Sequence, residues 1–593
     1  MSLARAESAP VHPLARALAL ALAAAGLLAA CDRAAPVAVE GIAAVQGSAE
    51  RSAFEGQRAR IEGVVTLRLE DGAFVQSLQA DADAASAEGL FVMPAADAPP
   101  LEVGQHIVAE GTVAESSDGA TLTTLAEARI EVRGTAPLPE PVALDAAPQA
   151  WEAFEGMRLR LAAPLTVTGN DALARFGEVD LAFGGRVYTP TEVALPGEAA
   201  QALREENRRR TLVLDDASSA ENPSTIAWLR EPLSATAPLR SGSTLAGVEG
   251  VLDQRFGGYR LQADAPSGEL VQAARPAAPT VEGGLRIAGM NLLNLFNGDG
   301  QGGGFPTERG AKDYDAYARQ LARHVSVIST LDPSIIAAQE LENDGFGPES
   351  AVQELADALN AAQPGARWVP VAPEGKDRVG TDQITVGILY RADRVEAVGA
   401  PALAADGPFQ HGSRPVLAQS FRVDGGPVFT VASVHFKSKG GCESAEGADR
   451  DQGDGQACFN AKRVDSAEAM HAWLATDPTG SGSDRFAAIG DFNAYAMEDP
   501  MRGLRERGWV DAMAAGEADD APAPHSFVFD GQAGRLDHAM LSPSMAAMLR
   551  GAAKWSINSD EAVAFGYDGP LGREAGPWRS SDHDPMLLGL DPR

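Results

Sequence analysis

A chain of 593 residues is too long for one hydrophobic core, so several domains are expected, and 45% apolar with 22% charged residues is an ordinary globular composition. The formal charge of −33 argues against a protein that coats nucleic acid, because affinity for the phosphate backbone comes from Lys and Arg. It leaves open an enzyme that turns over a polyanion, which needs only a local positive cleft and a divalent cation.

At the N-terminus, Arg5 and Arg16 precede an apolar stretch, Ala17 to Ala30, too short to span a bilayer comfortably; it reads as an export signal. The stretch ends in Leu28-Ala29-Ala30-Cys31, which resembles the lipobox of bacterial lipoproteins. That resemblance implies cleavage before Cys31, a lipid on its thiol, and a membrane-anchored protein facing the periplasm or the cell surface. The alternative is a plain secretory signal with a chance cysteine. With Cys31 carrying the anchor, Cys442 and Cys458 remain, and two thiols of an exported protein are expected to pair. The loop Glu443 to Ala457 between them, rich in Gly, Asp and Ser, would gain from closure. Two free thiols are the alternative.

From residue 41 to 135 the chain shows short β-like runs with turn signals: Arg58 to Leu69, Gly72 to Gln76, Gly89 to Met93, His106 to Val113 and Thr121 to Leu125. Pro137 to Pro148 reads as a linker. Residues 150 to 274 then echo the first segment. Phe54-Glu55-Gly56-Gln57-Arg58-Ala59-Arg60 recurs as Phe154-Glu155-Gly156-Met157-Arg158-Leu159-Arg160, and Gly104 to Val113 is matched by Gly242 to Leu252. Two domains of similar plan fit this better than chance. Five short strands suit a small Greek-key barrel of the OB type. Both segments resemble the OB-like domains that precede the catalytic domain of large exported bacterial nucleases, the second through Tyr188-Thr189-Pro190-Thr191 and Leu214-Asp215-Asp216. Such barrels stack single strands on aromatics; aromatics are few here, so a structural spacer is the equal alternative.

After a second linker, Ala274 to Gly284, residues 285 to 593 read as one α/β unit. Strands are expected at Leu285 to Ala288, Ser334 to Ala338, Ile384 to Tyr390, Val428 to His435, Phe486 to Ile489 and Ala539 to Leu541, and helices at Tyr314 to Thr330, Ser350 to Ala361, Asn460 to Ala475 and Met501 to Gly508. Four fragments carry chemistry: Asn291 in Gly289-Met290-Asn291-Leu292, Glu340 in Ala338-Gln339-Glu340, Asp491 and Asn493 in Gly490-Asp491-Phe492-Asn493, and His583 in Ser581-Asp582-His583-Asp584-Pro585. An Asn, a Glu, an Asp/Asn pair and an Asp/His pair, each after an apolar run, suit metal-assisted cleavage of a phosphoester. Alone, each has a bland explanation as a turn or strand-end residue.

In that order the fragments resemble the endonuclease/exonuclease/phosphatase superfamily, which includes DNase I-like nucleases; the likeness covers about half the chain. Leu341-Glu342-Asn343-Asp344-Gly345-Phe346 and Val434-His435-Phe436-Lys437-Ser438-Lys439-Gly440, with the Cys442/Cys458 loop, resemble its exported nuclease branch. The resemblance implies a four-layered α/β fold, a β-sandwich flanked by helices, behind the two all-β OB-like barrels. It implies Mg²⁺, with Ca²⁺ or Mn²⁺ as alternatives, held near Asn291, Glu340 and Asp582. Asp491 would orient or deprotonate the attacking water, Asn493 would donate to a phosphoryl oxygen, and His583, oriented by Asp537, would face the transition state with His435 as the second imidazole. Asp491 and Asn493 stand two apart, so in extended geometry both would point to one face, with Phe492 in the core. Arg414 would contact phosphate, and Asp382 would partner His435. Only six of the 49 basic residues are lysines, and Lys437, Lys439 and Lys462 fall beside this site as a positive rim. The expected activity is hydrolysis of DNA, with RNA as the alternative, and no obligate protein partner is indicated. The rivals are a phosphodiesterase or phosphatase acting on phospholipid or another small phosphoester, and a surface binding protein with a dead site; the second predicts missing acids, and none is missing.

Overall fold

The computed structural model describes residues 38–592, apart from 82, 117–120, 376–377, 411, 515–522 and 574–575. The expected export signal and Cys31 lie outside the described residues, among which no helix is long and apolar enough to cross a membrane.

The first module is a closed five-stranded barrel. Strand Arg58–Arg68 pairs along its first half with Gln105–Glu115 and along its second half with Ala73–Gln76. Ala73–Gln76 then pairs with Gly89–Pro94, which runs parallel to Thr123–Thr135, and Thr123–Thr135 returns antiparallel to Gln105–Glu115. Closure leaves none of the five with a free edge. Ile61, Val65, Val75, Leu90, Ile107 and Leu125 fill the interior.

The same strand order recurs in the second module. Arg158–Leu161 pairs with Val248–Arg255, Leu165–Gly169 with Val179–Phe183, and Val179–Phe183 with Thr211–Asp215; that strand runs parallel to Gly258–Gln262, the hairpin partner of Val248–Arg255. Here the long first strand is broken at Ala162-Ala163-Pro164, because proline offers no donor to a ladder. The ring is therefore completed through the chain rather than by hydrogen bonds, and short flanking strands extend it to a nine-stranded sheet where a five-stranded barrel is expected from sequence.

The sequence echo is a repeated turn. The Gly56 amide donates to the Val113 carbonyl at 2.8 Å, and the Gly156 amide to Leu252 at 2.8 Å; Val113 and Leu252 return bonds to Gln57 and Met157. Both glycines have positive φ, 78° and 70°, which a side chain would strain. The helix Glu198–Arg210, inserted between two strands of the second module, has no counterpart in the first and was not expected: only Ala200 and Asn207 are buried, so it lacks an apolar stripe.

Residues 285–592 form two six-stranded sheets packed face to face. The first runs Trp368–Pro370, Ile384–Arg391, Ile335–Glu342, Leu285–Leu295, Met586–Leu590, Leu549–Lys554; the second runs Glu396–Ala404, Val416–Arg422, Phe429–His435, Phe486–Asp491, Asp537–Leu541, Val510–Asp511. Ile287, Ile335 and Ile388 meet Val431, Ile489 and Ala539 between them. Helices Tyr314–Leu331 and Ala351–Ala362 cover the outer face of the first sheet; Asn460–Leu474 and Asp499–Glu506 cover the second. Asp313 and Ser350 cap the first two helices by accepting from Ala316 and Gln353 amides. Burial on both faces explains the unbroken apolar runs of the central strands. Leu285–Leu295 lies parallel to Ile335–Glu342, and Phe429–His435 parallel to Phe486–Asp491, so Asn291, Glu340, His435 and Asp491 all fall at or near strand carboxyl ends.

The first two modules abut through glycine: a Cβ on Gly89 would lie 2.1 Å from the Gly156 carbonyl carbon. Beside this contact Glu155 accepts from Gln46 Nε2 and from the Thr123 amide, each at 3.0 Å, while its Oε2 lacks a partner. Burial, reinforced by the charge of Glu152, pushes its pKa up to about 8. A carboxyl raised in the fold contributes fully below its unfolded pKa, and that contribution is lost as pH rises through about 8. Glu155→Gln, which keeps an acceptor and removes the charge, is expected to melt higher than wild type at about pH 9 and no higher at about pH 4. Superimposable melting profiles across that range would overturn this reading of the junction.

Candidate active site

Both central strands of the first sheet are irregular where they reach the site. Their mutual register shifts between Asn291 and Leu295, and Leu293, Asn294 and Glu340 adopt φ of 51°, 50° and 61°. Left-handed backbone at non-glycine residues costs of order 1–3 kcal/mol and persists where the surroundings enforce it. Here the kink aims two amides at one carboxylate: Glu340 accepts from Asn291 Nδ2 at 3.2 Å and from the Asn294 amide at 3.0 Å. Asn291 Oδ1 accepts from the Leu293 amide at 2.9 Å. Burial, then the charge of Asp582, raises the pKa of Glu340.

In the second sheet, Asp491 ends its strand and Asn493 turns back with φ 50°, its amide donating to Asp491 Oδ1 at 2.8 Å. This corrects the extended geometry expected for the pair: the turn, not strand alternation, brings them together. Phe492 does enter the core, edge-on to Phe436 with centroids 5.0 Å apart. The Phe436 carbonyl accepts from Asn493 Nδ2 at 3.2 Å and from Arg414 Nη2 at 2.6 Å, fixing both residues.

Two imidazoles flank Asp491. His435 Nε2 lies 3.4 Å from Asp491 Oδ2, and its Nδ1 is buried without a partner. Burial, with Arg414 and His583 adding to it, holds its pKa well below the usual histidine range. His583 is the opposite case. Its Nδ1 is 2.6 Å from Asp537 Oδ2, which also accepts from Ser526 Oγ at 2.6 Å, and its ring stacks on Phe527 with centroids 4.6 Å apart. Burial lowers its pKa, but Asp537, Asp582 and Asp491 outweigh that and hold it well above the usual range. The two environments therefore push the imidazoles in opposite directions, His435 toward the neutral form and His583 toward the cation, and environments that push two titratable groups apart in this way separate acid from base. Asp491 is lifted to about 7 by burial, with Asp537 and Glu340 adding to the effect and His583 opposing it.

Two expectations are corrected. Asp382 faces Arg414 at 3.5 Å and Arg309 at 3.6 Å rather than His435, so it orients a guanidinium and not an imidazole. Lys439 is no phosphate ligand: its Nζ donates to both oxygens of fully buried Glu498, at 2.7 and 2.6 Å, and to the Gln456 carbonyl at 3.0 Å, which uses all three donors. Lys437 is half-buried over the Phe459 ring and donates within its own loop. Arg414 is buried, its Nε without a partner. Asp582 accepts from Ser581 Oγ at 3.3 Å and adds negative charge beside Glu340. Cys442 and Cys458 are joined in a disulfide. Sequence reading missed Ser526, Phe527 and Arg309: a Ser-Phe pair or a lone Arg in a loop carries no signal until the fold brings it to the site.

Among the described residues no cluster of three or more His, Cys, Asp or Glu has metal-holding geometry. The donors at the Asn291 corner are oxygens: Glu340, Asp582 and the Asn291 carbonyl. Mg²⁺ is commonly held by one or two carboxylates, with water and substrate phosphate completing the shell. This sparse oxygen set, with two half-buried carboxylates repelling each other, fits such an ion.

Comparison with known proteins gives two kinds of result. The sequence profile of a domain of unknown function, DUF8508, matches residues 102–272 and so straddles the first two modules. No curated protein matches the chain. Solved structures that match about half of the chain include endonuclease/exonuclease/phosphatase family proteins. The one from Bacteroides vulgatus is 14% identical, with 52% of this chain and 99% of that one covered and a TM-score of 0.33. A mannosyl-6-phosphatase from Bacteroides thetaiotaomicron is 18% identical over 52% and 99%, TM-score 0.32. TDP2 of D. rerio, complexed with a single-strand DNA product, is 14% identical over 51% and 97%, TM-score 0.33.

Because Asp491 is ionised in the fold only against the cost of burial, Asp491→Asn is expected to melt higher than wild type at about pH 8, with the gain vanishing toward pH 4 as both forms become neutral. A lower melting temperature at both pH values would show that the carboxylate is a net stabiliser.

Proposed function

We propose that residues 285–593 form a metal-assisted phosphodiesterase of the endonuclease/exonuclease/phosphatase, DNase I-like type, acting on DNA, with RNA as the alternative, in an exported lipid-anchored protein whose first two modules are OB-like. The observation that carries this is the gathering of two buried imidazoles, one 3.4 Å from buried Asp491 and the other held at 2.6 Å by Asp537, next to an oxygen-donor corner. Asp491, near neutral pKa, is matched to taking a proton from the attacking water. Asn493 spends one N–H on the Phe436 carbonyl and keeps the other for a phosphoryl oxygen. The His583 cation, held by Asp537, stabilises charge growing on the phosphorus oxygens, or gives its proton to the leaving oxygen. Arg414 keeps its unpaired Nε for the same negative charge. Glu340, Asn291 and Asp582 would hold the divalent cation, which supplies Lewis-acid polarisation of the phosphoryl group when bound.

Hydrolysis of a phospholipid or other small phosphoester is favoured by one observation: with Lys439 consumed by Glu498, the positive rim shrinks to Lys437, Lys462 and Arg309. A long polyanion needs more than that to bind tightly, though not to be cut.

The test is cleavage of supercoiled plasmid by the protein from Asp32 onward, with Mg²⁺, with Ca²⁺ plus Mg²⁺, and with chelator. Metal-dependent nicking is expected, falling about 10²-fold or more in His583→Ala and in Asp491→Asn. Release of phosphorylcholine or phosphate from small esters without nicking would move the substrate to the second reading. Full nicking by both variants would sink the assignment of roles.

A further inference from the structure

We propose that the insertion Arg186–Asn207 of the second module is a positioning element for His583, so that the second module is part of the catalytic apparatus rather than a spacer; this rests on the phosphodiesterase reading above. The argument starts from the hairpin that carries Phe527. It has two strands of three residues, Phe527–Phe529 and Gln532–Gly534, and a lone two-stranded hairpin is marginal in water. Yet it sets both contacts of the imidazole. Phe527 stacks on His583, and Ser526, whose amide donates to the Gly534 carbonyl at 3.0 Å, holds the Asp537 oxygen that His583 uses.

The third strand comes from the second module. The Ala533 amide donates to Val187, and the Thr189 amide to Ala533, both at 2.9 Å, which makes a parallel bridge at Tyr188. Asn207 Nδ2 clips the join, donating to the Tyr188 carbonyl at 2.9 Å and to Gln532 Oε1 at 3.4 Å. Buried Glu192 accepts from Arg535 Nε at 2.9 Å and from the Arg535 amide at 3.0 Å, one residue beyond the hairpin, and from the Ala496 amide at 3.2 Å beside Asn493. The hairpin tip is seated as well: a Cβ on Gly169 would meet Gly531 Cα at 2.8 Å.

A second arm holds the backbone of His583. Arg186 pairs with Asp560 at 2.9 Å, and the neighbouring Glu561 amide bonds the Asn558 carbonyl. Asn558 Nδ2 in turn donates to the His583 carbonyl at 2.6 Å. Ala562, Ala564 and Phe565, just beyond, lie in the apolar core of the second module itself. Ring and backbone of one imidazole are thus both fixed from the same inserted segment. A reacting group displaced by about 1 Å can lose on the order of 10²-fold in rate.

The test uses the full chain with Glu192→Ala, Glu192→Gln and Asn207→Ala, none of which touches the reacting groups. At fixed pH, kcat is expected to fall about ten- to hundredfold in Glu192→Ala and less in Asn207→Ala, with KM within about twofold, and Glu192→Gln, which keeps an acceptor for Arg535, is expected to recover most of the loss. Without substrate, ring resonances of ¹³C-labelled His583 should move as stacking on Phe527 loosens. Unchanged kcat per folded molecule, or a fall in kcat with His583 resonances unmoved, would overturn the proposal. If Glu192→Ala fails to fold, Asn207→Ala decides alone. Should wild type prove inactive on phosphodiesters, the functional reading fails while the resonance measurement still decides the positioning.

Discussion

One buried ion pair organises this site, His583 with Asp537. Asp491 and Asp537 are buried beside half-buried Glu340 and Asp582, and ionised carboxylates gathered in this way repel each other and lose hydration. The His583 cation, locked to Asp537, offsets part of that, and the pKa directions show how far it reaches: His583 is driven up, while Asp491 and Glu340 remain raised in spite of it. The uncompensated remainder is the electrostatic room in which a divalent cation and a phosphoryl group would sit. A site that is unstable by itself and relieved by its ligands is what differential binding of a charged transition state requires.

The rest of the fold works to keep that charge in place. The two sheets alone would fix Asp537 and Asp491, which lie on strands, but His583 sits on a loop after Ser581, and loops are held by what packs on them. Two rings built on one turn, the Gly56 and Gly156 repeat, have different outcomes: the first closes on itself, whereas the second carries an insertion that leaves its own sheet and joins the neighbouring hairpin. The break at Pro164 and the insertion after Phe183 are departures from the shared plan, and the second module bonds to the hairpin that carries Phe527. A duplicated scaffold has been turned from a free-standing barrel into a buttress.

Much of this was legible in the sequence. Asn291, Glu340 and Asp491 were readable because each lies toward the end of an apolar strand, His583 through its Ser-Asp-His-Asp-Pro motif ahead of one, and the central strands were readable because burial on both faces leaves unbroken apolar runs. Edge strands such as Glu396–Ala404 and Leu549–Lys554 were missed, since a half-exposed edge mixes small and polar residues. The Asp382 and Lys439 roles failed for a different reason. Sequence shows that a charged residue is near a motif but not which partner claims it, and Arg414 and Glu498 claim these two. Ser526 and Phe527 were invisible because their importance comes from register with Gly534 and from stacking on a ring more than fifty residues away.

The net charge of −33 is set by composition, 82 acidic against 49 basic residues, and several of the basic residues do not reach the surface. Arg240, Arg260, Arg323, Arg414, Arg463 and Arg535 are all buried, spent on carbonyls or on acids such as Glu561, Asp215 and Glu192. Arginine suits this work because its planar fork satisfies several acceptors at once and stays charged. Pairs buried in this way cancel each other, so the excess of acids is carried by the remaining residues. The field a substrate meets from a distance is therefore repulsive, and attraction begins only within a Debye length, about 8 Å at physiological salt, of the few cations at the site rim. Such a protein would engage one phosphodiester at a time and let go readily, which suits turnover and opposes retention on a long strand.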